Sequence, residues 1–118
     1  SAYKQYGVFA ADWQPLRVQS ADTPWRFECT GKIKGNGRYE VTFIQTRGVD
    51  ALQLGDMKVL KRDELVTTVE QAGVTMPIVK YTFTVDNFEA GTPFFIEVLC
   101  KSVGGNDTQG LVFIKQLD

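Results

Sequence analysis

The chain has no histidine at any of its 118 positions, and this absence restricts its chemistry strongly. Histidine is the commonest general base and the commonest metal ligand, so both kinds of site lose their usual residue. Cys29 and Cys100 have no neighbouring base that would activate a thiol nucleophile. Paired carboxylates cleave glycosidic bonds in many enzymes, but the carboxylates of this chain fall mostly at turns, where solvated Asp and Glu are ordinary. The sequence therefore predicts a domain that is not an enzyme.

An excess of either charge and a long apolar run are also missing. Thirteen basic side chains face fourteen acidic ones, and the two signs are interleaved along the chain. A protein that binds nucleic acid needs a concentrated positive face, so no nucleic-acid partner is expected. The apolar runs are only a few residues long, far short of the roughly 20 needed to span a bilayer. The sequence predicts no membrane span.

Length and the few cysteines leave two questions open. A chain of 118 residues is one domain of ordinary size, and Ser1-Ala2 at its start suggests excision from a longer protein. We therefore expect residues 1–118 to form a single domain, and a missing export signal does not decide its compartment. Cys29 and Cys100 each lie on an apolar strand face, where they either pair in an exported protein or stay buried thiols.

Two strands in the middle of the chain carry the clearest pattern. Residues 38–46 place Tyr39, Val41 and Phe43 on one side, with the period of two that a half-buried strand requires. Residues 50–61 continue the alternation after a short connection that contains glycine. Gly55-Asp56 then shifts it, which predicts a bulge or bend where this strand changes its partner.

The rest of the chain is read as short strands separated by turns. Strands are predicted over 16–20, 25–33, 65–70, 78–85, 94–101 and 111–116, with turns or loops over 21–24, 35–37, 61–64, 71–77, 86–93 and 104–110. Eight or so strands without a convincing helix predict an all-β fold, an antiparallel two-sheet β-sandwich of jelly-roll type. The expected core comprises Tyr39, Val41, Phe43, Leu54, Val59, Tyr81, Phe83, Ile96, Val98 and Phe113.

Aromatic and polar side chains offer one candidate binding surface. Residues 1–14 contain Tyr3, Tyr6, Phe9 and Trp13 without a sustained period, and they either seal an edge of the sandwich or form an exposed platform. Aromatic faces stack on sugar rings, while Asn, Asp, Gln and Arg bond the hydroxyls. The candidate carbohydrate-binding residues are Tyr6, Trp13, Trp25, Arg47 and Asp107. Each has a structural alternative, and Trp25 shares its strand face with Phe27.

Calcium is the one cofactor worth considering, because Asn106, Asp107 and nearby carbonyls offer the hard oxygen ligands that it prefers. Their spacing does not match a known calcium loop, and Asn, Asp and three glycines also make an ordinary turn. We expect no cofactor, with calcium as the alternative.

The order of several motifs resembles a known family. These are Gly37 to Phe43, Thr46-Arg-Gly48, Leu52 to Leu54, Met57 to Leu60, Lys80 to Val85 and Asp107 to Phe113, with Trp13-Gln-Pro15 and Trp25 before them. The pattern is similar to the small C-terminal β-sandwich modules of secreted bacterial glycoside hydrolases, such as family 20 β-hexosaminidases. One departure is the stretch Glu70 to Met76, where those modules usually carry an acidic segment with histidine.

The resemblance implies a galactose-binding-like sandwich that is not catalytic and is exported with its enzyme. Its location would be secreted, periplasmic or at the cell surface, and its partners would be a glycan and the catalytic domain of the same chain. Binding glycan and supporting the catalytic domain are different functions, and the motifs do not separate them.

Overall fold

The computed structural model describes residues 16–18, 23–47, 51–71, 74–75, 77–102 and 108–117. These residues form nine β-strands and one short 3-10 helix, Thr30–Lys32. The strands are β1 (Leu16–Val18), β2 (Thr23–Glu28), β3 (Gly37–Arg47), β4 (Leu52–Lys61), β5 (Glu64–Val69), β6 (Val74–Thr75), β7 (Ile78–Val85), β8 (Phe94–Ser102) and β9 (Thr108–Gln116). No helix in these ranges is long and apolar enough to cross a bilayer.

The strands pair antiparallel in two sheets. Sheet A has the order β1-β9-β3-β7, and sheet B has the order β2-β8-β4-β5, with β6 also beside β4. The pairs β1–β9, β2–β8, β3–β7 and β4–β6 are nested, and the first four strands alternate between the sheets. A long hairpin rolled into two sheets is the jelly-roll arrangement. The predicted antiparallel two-sheet sandwich is confirmed, and β3 and β4 lie in opposite sheets.

The core fills the space between the two sheets with alternate residues of each strand. β7 alternates exposed and buried side chains over its whole length, because one face meets water and the other meets sheet B. Tyr39 stacks on Phe83 with ring centroids 5.6 Å apart, and Phe43 meets Tyr81 edge to face at 5.5 Å. Of the ten residues predicted for the core, nine are buried.

Phe113 is the exception, and its prediction as a core residue is wrong. It pairs with Thr42 on β3, so both side chains lie on the outer face of sheet A, where Phe113 is half-buried. Its neighbours Val112 and Ile114 fill the core in its place. The run Leu111 to Ile114 is apolar on both faces, and a continuous apolar run does not reveal which alternate set faces inward.

The predicted change of partner in β4 is confirmed. β4 pairs with β6 at Gln53 and Leu54 and with β5 from Met57 onward, and its register against β8 shifts between Leu54 and Met57. The hydroxyl of Tyr81, from sheet A, donates a hydrogen bond to the Gly55 carbonyl at 2.6 Å. This bond crosses the sandwich and satisfies a carbonyl that the bulge leaves without a strand partner.

Several predicted boundaries are wrong by a few residues. The strand predicted over 25–33 begins at Thr23 and ends at Glu28, and the 3-10 helix follows it. Thr23 and Pro24 therefore belong to β2 rather than to a turn. The loop predicted over 71–77 contains the short strand β6, and the turn predicted over 104–110 gives its last three residues to β9. At Thr23-Pro24, at β6 and at the start of β9, tertiary pairing extends strands into residues with turn propensity.

The turn predicted at Gly35-Asn36-Gly37 is confirmed, and a buried tyrosine fixes it. The Tyr39 hydroxyl accepts hydrogen bonds from the backbone N–H groups of Lys34 and Gly35, at 3.2 and 3.1 Å, and donates to the Gly35 carbonyl at 2.7 Å. Gly37 then enters β3 with φ of 143°, a conformation that favours glycine.

Candidate functional site

The connections between strands gather at two ends of the sandwich. The Arg47 end is where β1, β3 and β8 finish and where β2, β4 and β9 begin, so residues 19–22, 48–51 and 103–107 connect the two sheets there. The Phe88 end carries residues 29–36, the hairpin turn at 62–63 and residues 86–93. Binding residues of sandwich domains are commonly placed on such connections.

The structure describes the five candidate carbohydrate-binding residues to different extents. Tyr6, Trp13 and Asp107 lie outside the described residues, and for Trp25 and Arg47 the structure describes the backbone. Trp25 lies in β2 opposite Val98, two residues from the start of the strand. Arg47 is the last residue of β3 and lies opposite Gln109 of β9. The register therefore brings Arg47 to the strand that begins directly after Asp107.

A local irregularity shapes this end of sheet A. The register of β3 against β9 shifts between Gln45 and Arg47. At Gly110, on the facing strand, an added Cβ would lie 2.5 Å from the Ile44 carbonyl oxygen, so β3 and β9 approach each other too closely there for any side chain. Bulges re-aim side chains next to binding sites. Gly110 of β9 is thus required by the register shift between Gln45 and Arg47 of β3.

The Phe88 end holds its loops together with its own polar groups. The Asn36 side-chain oxygen accepts a bond from the Phe88 N–H at 2.8 Å, and the Asn36 carbonyl accepts one from the Gln116 side chain at 3.3 Å. The Lys61 ammonium donates to the Asn87 carbonyl at 3.3 Å and pairs with Glu89 at 3.5 Å. Groups that are already bonded to each other offer less to a ligand.

A second surface was missed from the sequence, the outer face of sheet B. Leu65, Val66 and Leu99 are exposed there by 57%, 40% and 46%. The Arg26 guanidinium lies 4.4 Å from the ring centroid of Phe95 on the same face and is 3.7 Å from Asp63. The run Phe94 to Cys100, which is apolar on both strand faces, was the sequence feature that could have predicted this apolar outer face.

None of the described aromatic side chains is an exposed platform. Six are buried and three are half-buried, in the ranges whose side chains the structure describes. Phe88 stacks parallel to Phe94 at 6.2 Å, and Phe95 is covered by Arg26. The candidate aromatic residues Tyr6, Trp13 and Trp25 are not among these described side chains.

Among the described residues, we find neither an activated cysteine nor a cluster of metal ligands. Cys29 and Cys100 are buried thiols that are not joined in a disulfide. Burial, with a smaller contribution from Glu28, raises the pKa of Cys29 to about 12, so its thiol stays protonated and is a poor nucleophile near neutral pH. Within the same ranges no three acidic or cysteine side chains are grouped to hold a metal ion. The calcium alternative at Asn106 and Asp107 lies outside them and stays a prediction.

Comparison with known proteins gives little beyond this geometry. No family model matches the chain, and no curated protein matches it. A solved structure of a family 35 carbohydrate-binding module from an environmental isolate is similar over 85% of this chain and 69% of its own, with 10% identity and a TM-score of 0.40. A likeness at this level carries no argument about function.

Proposed function

We propose that this chain is a non-catalytic accessory domain of a secreted bacterial carbohydrate-active protein, and that it binds glycan at the Arg47 end. The observation that supports the proposal is the register of Arg47 opposite Gln109, which follows the candidate Asp107 by two positions in the chain. The resemblance of the ordered motifs to those of glycoside hydrolase modules supports the same role.

The chemistry of the proposed site follows from its residue types. A guanidinium and a carboxylate bond neighbouring sugar hydroxyls in complementary ways, because Arg47 donates and Asp107 accepts. Trp25 lies in the strand that begins at the same end, and an indole ring offers an apolar face to the C–H groups of a sugar. Tyr6 and Trp13 remain candidates from the sequence.

A glycan titration with matched variants tests this proposal. The isolated chain is titrated with a panel of soluble oligosaccharides while tryptophan fluorescence and heat of binding are recorded. Arg47→Ala should weaken binding at least about tenfold, because a lost charged hydrogen bond is worth roughly 1.5–3 kcal/mol. Lys80→Ala is the matched control, since Lys80 is an exposed cation of β7 on the outer face of the same sheet. Equal affinity of Arg47→Ala and the unchanged chain would place the site elsewhere.

The non-catalytic part of the proposal has its own experiment. Incubation with a panel of chromogenic glycosides should give no turnover. Hydrolysis that survives purification and disappears on replacing a single acidic residue would overturn the assignment.

A second candidate function is support of a neighbouring catalytic domain of the same polypeptide. The exposure of Leu65 and Val66 in β5 and of Leu99 in β8, on the outer face of sheet B, favours it, because a neighbouring domain that covered this face would remove their apolar surface from water. Under this alternative, Leu65→Asp and Leu99→Asp would lower the thermal midpoint of the full parent protein and leave that of the isolated domain nearly unchanged. If no glycan binds, and the two variants destabilise the parent protein but not the isolated domain, the second function replaces the first.

A further inference from the structure

β7 is the last strand of sheet A, and no described strand pairs with its second edge. Its ladder with β3 runs without a register shift, from Gly37 opposite Val85 to Ile44 opposite Ile78. β7 contains no proline, and every second side chain from Ile78 to Thr84 is exposed. It is therefore a regular edge strand of eight residues with one face in water.

The hydrogen bonds of β3 show which groups of β7 point to that edge. The Leu117 N–H donates to the Arg38 carbonyl at 2.7 Å, and the Gln45 N–H donates to the Pro77 carbonyl at 2.9 Å. Even-numbered residues of β3 therefore bond to β9 and odd-numbered ones to β7, because residues of an inner strand alternate between their two neighbours. Even-numbered residues of β7 lie opposite even-numbered residues of β3, so their N–H and C=O groups point to the second edge. These residues are Ile78, Lys80, Thr82 and Thr84.

The other sheet edges carry features that discourage strand pairing. In β2 the Cys29 N–H donates to the Phe94 carbonyl, so odd-numbered residues bond to β8, and Pro24 at an outward position has no N–H to offer. The register of β4 against β5 shifts between Val59 and Leu60. β1 has three residues and β6 has two. Prolines, bulges and short strands are common protections of a sheet edge, and β7 has none of them.

Lysine is a further protective residue, and Lys80 is the charged residue of β7. Its ammonium lies 3.9 Å from the carboxylate of Glu40 in β3, which is the neighbour of β7 inside the sheet. The side chain of Lys80 is thus directed towards β3 rather than across the second edge.

We propose that β7 pairs antiparallel with β7 of a second copy of this chain, about a two-fold axis at Tyr81. Sheet A of one copy then continues into sheet A of the other. Ile78 lies opposite Thr84 of the second copy, and Lys80 lies opposite Thr82 of the second copy. Each outward N–H and C=O group then meets its complement, because the same positions face the edge in both copies. The two-fold axis makes the two edges identical, as in most protein dimers.

The side chains favour the axis at Tyr81 over its neighbours. Opposed residues lie on the same face of a sheet, so exposed side chains meet exposed ones and buried side chains continue the core. An axis at Lys80 would place two lysines directly opposite each other, which is unfavourable. An axis at Thr82 would place Ile78 opposite Asp86, which lies beyond the strand. The inference does not depend on glycan binding at the Arg47 end.

Sedimentation of the whole chain tests the proposal. Its mass should rise from that of a monomer towards that of a dimer between micromolar and millimolar concentrations. Thr82→Pro removes an N–H that points to the second copy and keeps the bonds to β3, so it should raise the dimer dissociation constant at least about tenfold. Thr82→Ala is the matched control, because it keeps that N–H and should associate like the unchanged chain. A monomer at every concentration, or equal association of both variants, would overturn the proposal.

A disulfide tests the register and remains informative if Thr82→Pro fails to fold. Ile78→Cys and Thr84→Cys are combined in one chain, since hydrogen-bonded residues opposite each other have Cα atoms about 5.5 Å apart, within reach of a disulfide. Within one copy the two positions lie about 20 Å apart along the strand, so they cannot join there. The native thiols Cys29 and Cys100 are buried.

Mild oxidation should convert the double variant into a covalent dimer. Each single variant should stay largely monomeric, because the register places its two new thiols about 20 Å apart across the dimer. Failure of the double variant to cross-link, or equal cross-linking of a single variant, would contradict the proposed pairing.

Discussion

Replacing Tyr81 by phenylalanine removes one oxygen atom and breaks the bond between the two sheets at the β4 bulge. In the native protein the Tyr81 hydroxyl donates to the Gly55 carbonyl at 2.6 Å, while its ring packs edge to face with Phe43. The phenylalanine ring keeps that packing. The variant therefore tests the hydrogen bonds of the Tyr81 hydroxyl, with Gly55 and with Gln71, with little change in apolar burial.

The expected loss follows from the carbonyl that is left behind. Loss of the donor from this part-buried bond should cost no more than roughly 1–3 kcal/mol, which is the cost of a buried acceptor that gains no other partner. For a domain of this size, that corresponds to a thermal midpoint lower by about 4–12 °C.

The pH dependence adds a second signature. Burial raises the pKa of Tyr81 above its ordinary value of 10.0, against a smaller lowering by a hydrogen bond with Gln71. Since the folded pKa exceeds the unfolded one, this group's contribution to stability is complete below pH 10 and is lost as the pH rises further. Tyr81→Phe lacks that ionisation, so its stability should fall less steeply above pH 10 than that of the unchanged protein.

Chemical denaturation followed by far-UV circular dichroism, at pH 7 and at several values above pH 10, measures both effects. A loss below about 0.5 kcal/mol at pH 7 would mean that the Gly55 carbonyl finds another donor or meets water. Identical slopes above pH 10 would mean that Tyr81 is accessible enough to ionise in the folded protein.

Two further predictions concern the core. Phe43→Ala should lower the free energy of unfolding by roughly 3–5 kcal/mol in chemical denaturation, because Phe43 is fully buried. Phe113→Ala should lower it clearly less, because Phe113 is half-buried. Equal losses would contradict the assigned faces of β3 and β9. Since burial raises the pKa of Cys29 from 9.0 to about 12, its contribution to stability is complete below pH 9 and should be lost above it by about 1.4 kcal/mol per pH unit. Cys29→Ala should remove that part of the alkaline loss, and an unchanged alkaline profile would show that the thiol is not buried.

Most of the sandwich could be predicted from local pattern. β7 was predicted with its observed bounds, Ile78–Val85. A strand with one solvent-exposed face and one buried face shows alternating polar and apolar residues in its sequence. The Gly55-Asp56 interruption likewise predicted the change of partner in β4. Both signals are local, since they depend on the period of two and on one break in it.

What could not be predicted depends on contacts between distant residues. Nothing near Tyr81 in the sequence shows that its hydroxyl bonds to Gly55, and the apolar run around Phe113 is equally compatible with either face turned inward. The same reason limits the candidate site. The sequence suggested Arg47 and Asp107 separately, whereas the register of β3 against β9 brings Arg47 to the start of the strand that follows Asp107.

The central claim is that the Arg47 end binds glycan, and titration calorimetry of the isolated chain with an oligosaccharide panel tests it most directly. We expect saturable binding of at least one glycan, weakened at least about tenfold by Arg47→Ala and unchanged by Lys80→Ala. The absence of binding by the unchanged, folded chain across the panel, or equal affinity of both variants, would contradict it.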